Sequence, residues 1–345
     1  MGGRKGHPKK MIQSSIKAVI YQAAIMVPLL AAMPALYAQP SATPAPGPEA
    51  CPEGVMRESY RVGDYLIRQV DREEHPDPKD SERVEYHPCL EIRQGMQVLF
   101  SEKDVQKDYI FGNGLYEEDE NSPSTDPPIK PGDDLTGLGV PNVLITTWTG
   151  GEHCCLAFYI FELGKSVNVL RLDAGDNNLS RLKYDPASHT WFFEDADWNF
   201  DFWKTGFADS PAPAIALSAR SEADGRHAFH LDWSKMRKPA PTPDEFKQLV
   251  NDLRKDEGWK DTAKDHAEHI PPALWGDMLD LIYSDNTESA WKLLDAAWPS
   301  KKPGKSTFIS EFCEQLTQST YINDLRPVLK PLPADCNINK KESHP

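Results

Sequence analysis

The chain has 345 residues, with 38 Lys and Arg against 53 Asp and Glu and a formal charge of −15. So acidic a protein repels nucleic acid and anionic lipid, because phosphate binding needs clustered cations. Basic proteins, cationic ligands and divalent metals stay admissible, and acidity by itself mainly favours solubility.

Residues 1–38 read as an export signal. Arg4, Lys5, Lys9, Lys10 and Lys17 form a positive head, and AVIYQAAIMVPLLAAMPALYA runs uncharged to Ala38. A basic head, an apolar run and a small-residue end mark a cleaved secretory peptide. A membrane anchor is the rival, since about 20 apolar residues span a bilayer. Pro28, Pro34 and the Ala38-Gln39-Pro40 exit favour cleavage. The segment holds five cations and no acid, so its loss takes the charge from −15 to −20. The expectation is a periplasmic or secreted protein without a stable membrane anchor after cleavage.

Residues 39–50, QPSATPAPGPEA, form a Pro/Ala linker with nothing to bury. From Cys51 to about Leu231 the texture is β. Tyr65-Leu66-Ile67, Glu85–Ile92 and Met96–Phe100 read as short strands, the last two parted by Gly95. Residues 116–134 form an acidic, Pro-rich loop too polar to pack. Strands are expected at Val143–Trp148, Cys155–Leu163 and Ser166–Leu172. Short Gly-containing loops join them, as in an antiparallel meander. Ala214–Ala219 and Ala228–Leu231 form a hairpin across Asp224-Gly225.

Near Pro239 the period changes. Thr242-Pro243-Asp244-Glu245 supplies an N-cap, a first-turn Pro and a capping-box Glu. Phe246, Leu249, Val250 and Leu253 follow at helical spacing until Gly258. Further helices are predicted at Pro272–Tyr283, at Thr287–Trp298 with Asn286 as cap, and at Thr307–Thr317. The fold class is therefore α+β. An antiparallel meander domain over 51–238, propeller-blade-like or an open barrel, precedes an all-α domain over 239–330 and a tail over 331–345. Ala290, Leu294 and Ala297 match part of a tetratricopeptide hairpin, but no second copy follows, and ordinary helix packing accounts for them. A protein partner could use this helical surface.

Six cysteines in an exported chain are disulfide material first. Fifteen pairings are open; the preferred set is Cys313–Cys336 and Cys51–Cys89, leaving Cys154 and Cys155. Those two belong to TGGEHCC, residues 149–155, where Gly150-Gly151 loosen a hairpin loop. His153 and Cys155 share one strand face and Cys154 takes the other. His153 with a thiolate could ligate zinc or copper. Equally, His153 could activate a cysteine as nucleophile, with Glu152 nearby. No second ligand cluster and no oxyanion donor can be named, so structural cysteines are the simpler reading.

Two stretches carry oxygen ligands. In DDLTGLGVPN, Asp134, Thr136, Gly137, Gly139 and Asn142 follow a calcium-loop spacing, though only Asp134 keeps a charge at a ligand position. In WFFEDADWNFDFW, residues 191–203, Asp195, Asp197, Asn199 and Asp201 fall on alternate positions like the first ligands of a calcium loop. Phe200 occupies the place of the turn glycine. A strand is the competing reading, with Ala196, Trp198, Phe200 and Phe202 facing in and the acids out.

GG-x-HCC after the DLTG-x-G turn, then FEDADWNFDFW and GFADSPAPAIAL, resembles a group of exported bacterial proteins of unknown function. The likeness spans roughly residues 130–220. It implies an FG-GAP or VCBS-like β unit and supplies no activity. There is no G-x-S-x-G elbow and no H-E-x-x-H pair, and no two carboxylates stand out as acid and base. A non-enzymatic binding or interaction protein is expected. Its alternatives are a thiol or metal enzyme centred on His153, Cys154 and Cys155, and a calcium-binding module.

Overall fold

Twelve strands among the described residues form three antiparallel sheets of four, each a meander in chain order. The computed structural model describes residues 48–74, 85–103, 108–112, 126–148, 156–175, 180–260 and 269–338. Residues 1–38, read as an export signal, and TGGEHCC lie outside them. The chain divides into Met1–Pro46 and Gly47–Pro345, and every described residue belongs to the second unit.

The first sheet comprises β1 (Val55–Val62), β2 (Tyr65–Glu74), β3 (Glu85–Gln94) and β4 (Gln97–Lys103). Val62 pairs with Tyr65 and Gln94 with Gln97, so both outer hairpins turn in two residues. Such turns need positive φ, which Gly63 at 55° and Gly95 at 58° provide. The middle sheet comprises β5 (Asp108–Phe111), β6 (Asn142–Trp148), β7 (Leu156–Leu163) and β8 (Val167–Gly175). The third comprises β9 (Arg181–Asp185), β10 (Thr190–Ala196), β11 (Ala214–Ser221) and β12 (His227–Leu231).

The middle sheet is buried on both faces, which explains why LAFYIFEL in β7 is apolar without alternation. Ala157, Tyr159, Phe161 and Leu163 join Ile67, Leu90 and Ile92 of the first sheet. Leu156, Phe158 and Ile160 join Leu182, Phe193 and Leu217 of the third. The Phe158 and Phe193 rings lie 5.0 Å apart across that second interface. A polar tie accompanies them. Glu162 of β7, 3% exposed, receives the Asn168 amide at 2.7 Å and sits 2.6 Å from His227 Nδ1 of β12.

Among the described residues six α-helices follow: α1 (Trp233–Met236), α2 (Pro243–Lys255), α3 (Pro272–Tyr283), α4 (Thr287–Ala297), α5 (Lys305–Leu316) and α6 (Ile322–Leu325). The capping box at α2 forms, with the Thr242 N–H donating to Glu245 Oε2 at 2.7 Å. Asn286 does not cap α4 with its side chain as expected. Its amide donates instead to the Lys238 and Ser284 carbonyls, both at 3.0 Å, holding the α3–α4 turn. The helices pack on the third sheet through aromatic rings. Phe200 and Trp203, from the segment after β10, lie 5.1 Å from Phe312 and 5.3 Å from Trp275 respectively. One hydrophobic cluster therefore runs from the middle sheet through the third sheet into α3, α4 and α5.

Cys51 is bonded to Cys89 and Cys313 to Cys336, the preferred set of the fifteen pairings left open by the sequence. Beside the first bond, Glu91 is fully buried in the first sheet. It accepts from Cys51 N–H at 2.7 Å, from Arg68 Nε at 2.8 Å and from the Arg93 guanidinium. Burial raises its carboxyl, but these donors outweigh burial and hold it below the usual range. Among the described residues no closed barrel or propeller forms, and no helix is long and apolar enough to cross a membrane.

Candidate functional site

The acidic stretch after β9 departs from the strand reading. β10 ends at Ala196, and Trp198–Phe200 make a 3-10 turn whose N-cap is Asp197. The acids do not all face out: Asp195 and Asp197 are each 6% exposed, whereas Phe202 is 65% exposed. A buried carboxylate needs donors, and both find them within the chain. Asp197 accepts from the Asn199 N–H at 3.0 Å, the Tyr283 hydroxyl at 2.5 Å and the Ser319 hydroxyl at 2.6 Å. Asp195 accepts from the buried Ser180 hydroxyl. Asn199 donates to the Gln315 carbonyl at 2.7 Å, while Asp201 lies exposed at the end of the turn. The four residues thus split between a buried tie and a surface turn. Burial, then the Asp197 charge, pushes the Tyr283 phenol well up, so it stays a hydroxyl that donates.

The DLTG turn is likewise filled from within. Asp134 Oδ2 accepts Gly139 N–H at 2.8 Å, and its Oδ1 accepts Leu138 N–H at 3.2 Å. Asn142 Oδ1 accepts Leu135 and Thr136 N–H at 2.7 and 2.9 Å. Gly137 and Gly139 take φ of 70° and 79°, which a side chain would resist. Oxygen ligands of a cation would point into a common centre; these point at backbone amides. Among the described residues no group of three or more His, Cys, Asp or Glu is placed to hold a metal. His153, Cys154, Cys155 and Glu152 lie outside the described residues.

What the structure assembles instead is a cleft of about 670 Å³ on the outer face of the third sheet, opposite the middle sheet. That volume suits a small ligand. Its floor follows from register. β10 and β11 pair Ala196 with Ala214 and Glu194 with Ala216, so alanine methyl groups line the sheet side of the cleft. Phe192 and Met236 extend the apolar lining, and α1 with the C-terminal end of α3 forms the opposite wall.

Charges ring this floor, and most are matched. Lys235 Nζ lies 2.6 Å from Asp185 and 4.3 Å from the centre of the Phe192 ring. Lys235, with Ser188 and the Ala187 N–H, holds the Asp185 carboxyl well below the usual range. Arg181 lies 3.0 Å from Glu194. Lys238 and Asp280 differ: among the described residues neither side chain has a hydrogen-bonding or ion-pair partner. Loss of water around Asp280 raises its carboxyl, which the Lys238 charge partly offsets. Asp280 also sits in the last turn of α3, where the helix dipole already presents negative charge and disfavours a carboxylate.

The sequence did hold a signal for this floor. AIALSA places Ala214, Ala216 and Ala219 in a β run, and Ala214 and Ala216 share one face. Lys235, Lys238 and Asp280 had no comparable signal, because only the fold brings α1 and α3 to that face. The chain matches no family model, no curated protein and no solved structure.

Proposed function

We propose that this chain is an exported binding protein whose ligand site is the cleft between the third sheet and α1 and α3. The observation that carries the reading is the 670 Å³ cleft itself, with a methyl-lined floor and mostly matched charges around it. Apolar pockets with a few fixed polar groups are the usual form of a ligand site. Export is supported by the basic, apolar and small-residue order of residues 1–38 and by two disulfides, which persist in oxidising compartments. Among the described residues the four-stranded meanders form three antiparallel sheets. The sheets then serve as a rigid platform, and the helices complete one wall of the site.

The test is ligand-observed NMR with a mixed small-molecule library against the wild type and Ala214→Trp. Ala214 is exposed on the floor, so an indole there fills the cleft without entering the core. Compounds that bind the wild type should lose binding at least tenfold in the variant. A library in which no compound distinguishes the two proteins contradicts the reading.

A further inference from the structure

Resting on that reading, we infer that the cleft takes a zwitterionic ligand with an apolar side chain, a free apolar amino acid or a short peptide with both termini uncapped. Three features of the lining carry this. First, Ala196, Ala214 and Ala216 give a shallow apolar bed, bounded by Phe192, that accepts a hydrophobic side chain but no buried charge. Secondly, Lys235 and Arg181 are already held by Asp185 and Glu194, so an anion alone would have to displace a carboxylate to reach them. Thirdly, Lys238 and Asp280 add an ammonium and a carboxyl to the lining of the cleft without hydrogen-bonding partners among the described residues.

A ligand ammonium suits Asp280 twice over, because the carbonyls that end α3 at Ser284 add negative potential at the same place. An acid in the last turn of a helix works against that helix, and such local conflicts concentrate at functional positions. The ligand carboxylate then meets Lys238. A ligand with one charge satisfies one of these groups and leaves the other to be desolvated without a partner, which is unfavourable. The length of the floor agrees. From Phe192 to Ala196 along β10 is about 13 Å, the reach of three or four extended residues. The charged groups therefore select for the two termini, and the methyl bed selects for what lies between.

The experiment is calorimetric titration of the full chain with the tripeptide Ala-Phe-Ala and three relatives: N-acetylated, C-amidated, and capped at both ends. The inference expects the uncapped peptide to bind, and each single cap to weaken binding about tenfold. Asp280→Asn should weaken the N-free peptides and leave the acetylated ones unchanged; Lys238→Gln should do the converse. Equal binding of all four peptides, abolished by Ala214→Trp, overturns the zwitterion inference and leaves the cleft reading standing. No heat with any peptide, while library compounds still bind in an Ala214-dependent way, has the same effect. Peptide binding indifferent to Ala214→Trp overturns both. Circular dichroism of each variant confirms that it remains folded.

Discussion

Asp197 shows how one residue can look like a metal ligand in sequence and act as a clasp in the fold. Its carboxylate joins the turn after β10 to Tyr283 at the end of α3 and to Ser319 beyond α5. Asp197→Ala leaves the buried Tyr283 and Ser319 hydroxyls and the half-buried Asn199 N–H without this acceptor, and each lost bond costs about 1 kcal/mol or more. We expect a loss of roughly 3 kcal/mol in urea unfolding, against under 1 for exposed Asp201→Ala. Alternating acids could not reveal this, because a calcium loop, a strand and a capped turn share the spacing, and only tertiary donors separate them. His230 is a second residue-scale case. Its Nδ1 lies 3.0 Å from Asp324 of α6 and its Nε2 lies 2.6 Å from Glu222. Burial lowers its imidazole, but these two carboxylates outweigh burial and raise it above 6.5. A raised histidine contributes stability fully below its unfolded value of about 6.5 and loses it as pH rises through the folded value. Wild-type melting temperature should therefore fall more steeply than that of His230→Gln as pH rises above the unfolded value of about 6.5. Parallel profiles would refute the coupling.

At the scale of elements, legibility followed local chemistry. α2 was readable because Thr242, Pro243 and Glu245 encode a start that needs no tertiary partner. α3 matched from Pro272 to Tyr283 for a similar reason, with Pro at the first turn. β1, β5 and β9 were not read. VMRESYRV is polar at every second position and too charged to stand out, and DYIF and RLKYD are too short for a period. These strands exist because neighbours pair with them, as Tyr60 does with Ile67 and Leu182 with Phe193. The Cys313–Cys336 bond ties the Pro-rich tail to α5 across 23 residues of sequence. Cross-linking a segment of that length removes about 3 kcal/mol of unfolded-chain entropy. Cys336→Ala should lower stability by about that amount in oxidising buffer, and the wild type should show the same loss under reductant. A change below 1 kcal/mol would mean that the tail is held by packing alone.

At the scale of the whole molecule, the third sheet, one face of the middle sheet and the helices share one core. Phe200 is 1% exposed and touches both Trp203 and Phe312, so the turn that leaves the third sheet after β10 fills part of the helical interior. Phe200→Ala should cost about 3–5 kcal/mol, as large-to-small changes in cores do. It should lower the melting of β and helical signals together, since neither side keeps its core without the other. Two separated transitions would contradict a shared core. That union also builds the cleft, because α1 and α3 can wall the third sheet only if the helices are docked on it.

The most direct test of the binding cleft is an amide-resolved NMR titration of the full chain with the tightest library compound. The account predicts shifts concentrated at Phe192–Ala196, Ala214–Ala216, Lys235–Lys238 and Asp280–Ser284, and absent in Ala214→Trp. Shifts centred on the first sheet, or a response unchanged in the variant, would place binding elsewhere and contradict it.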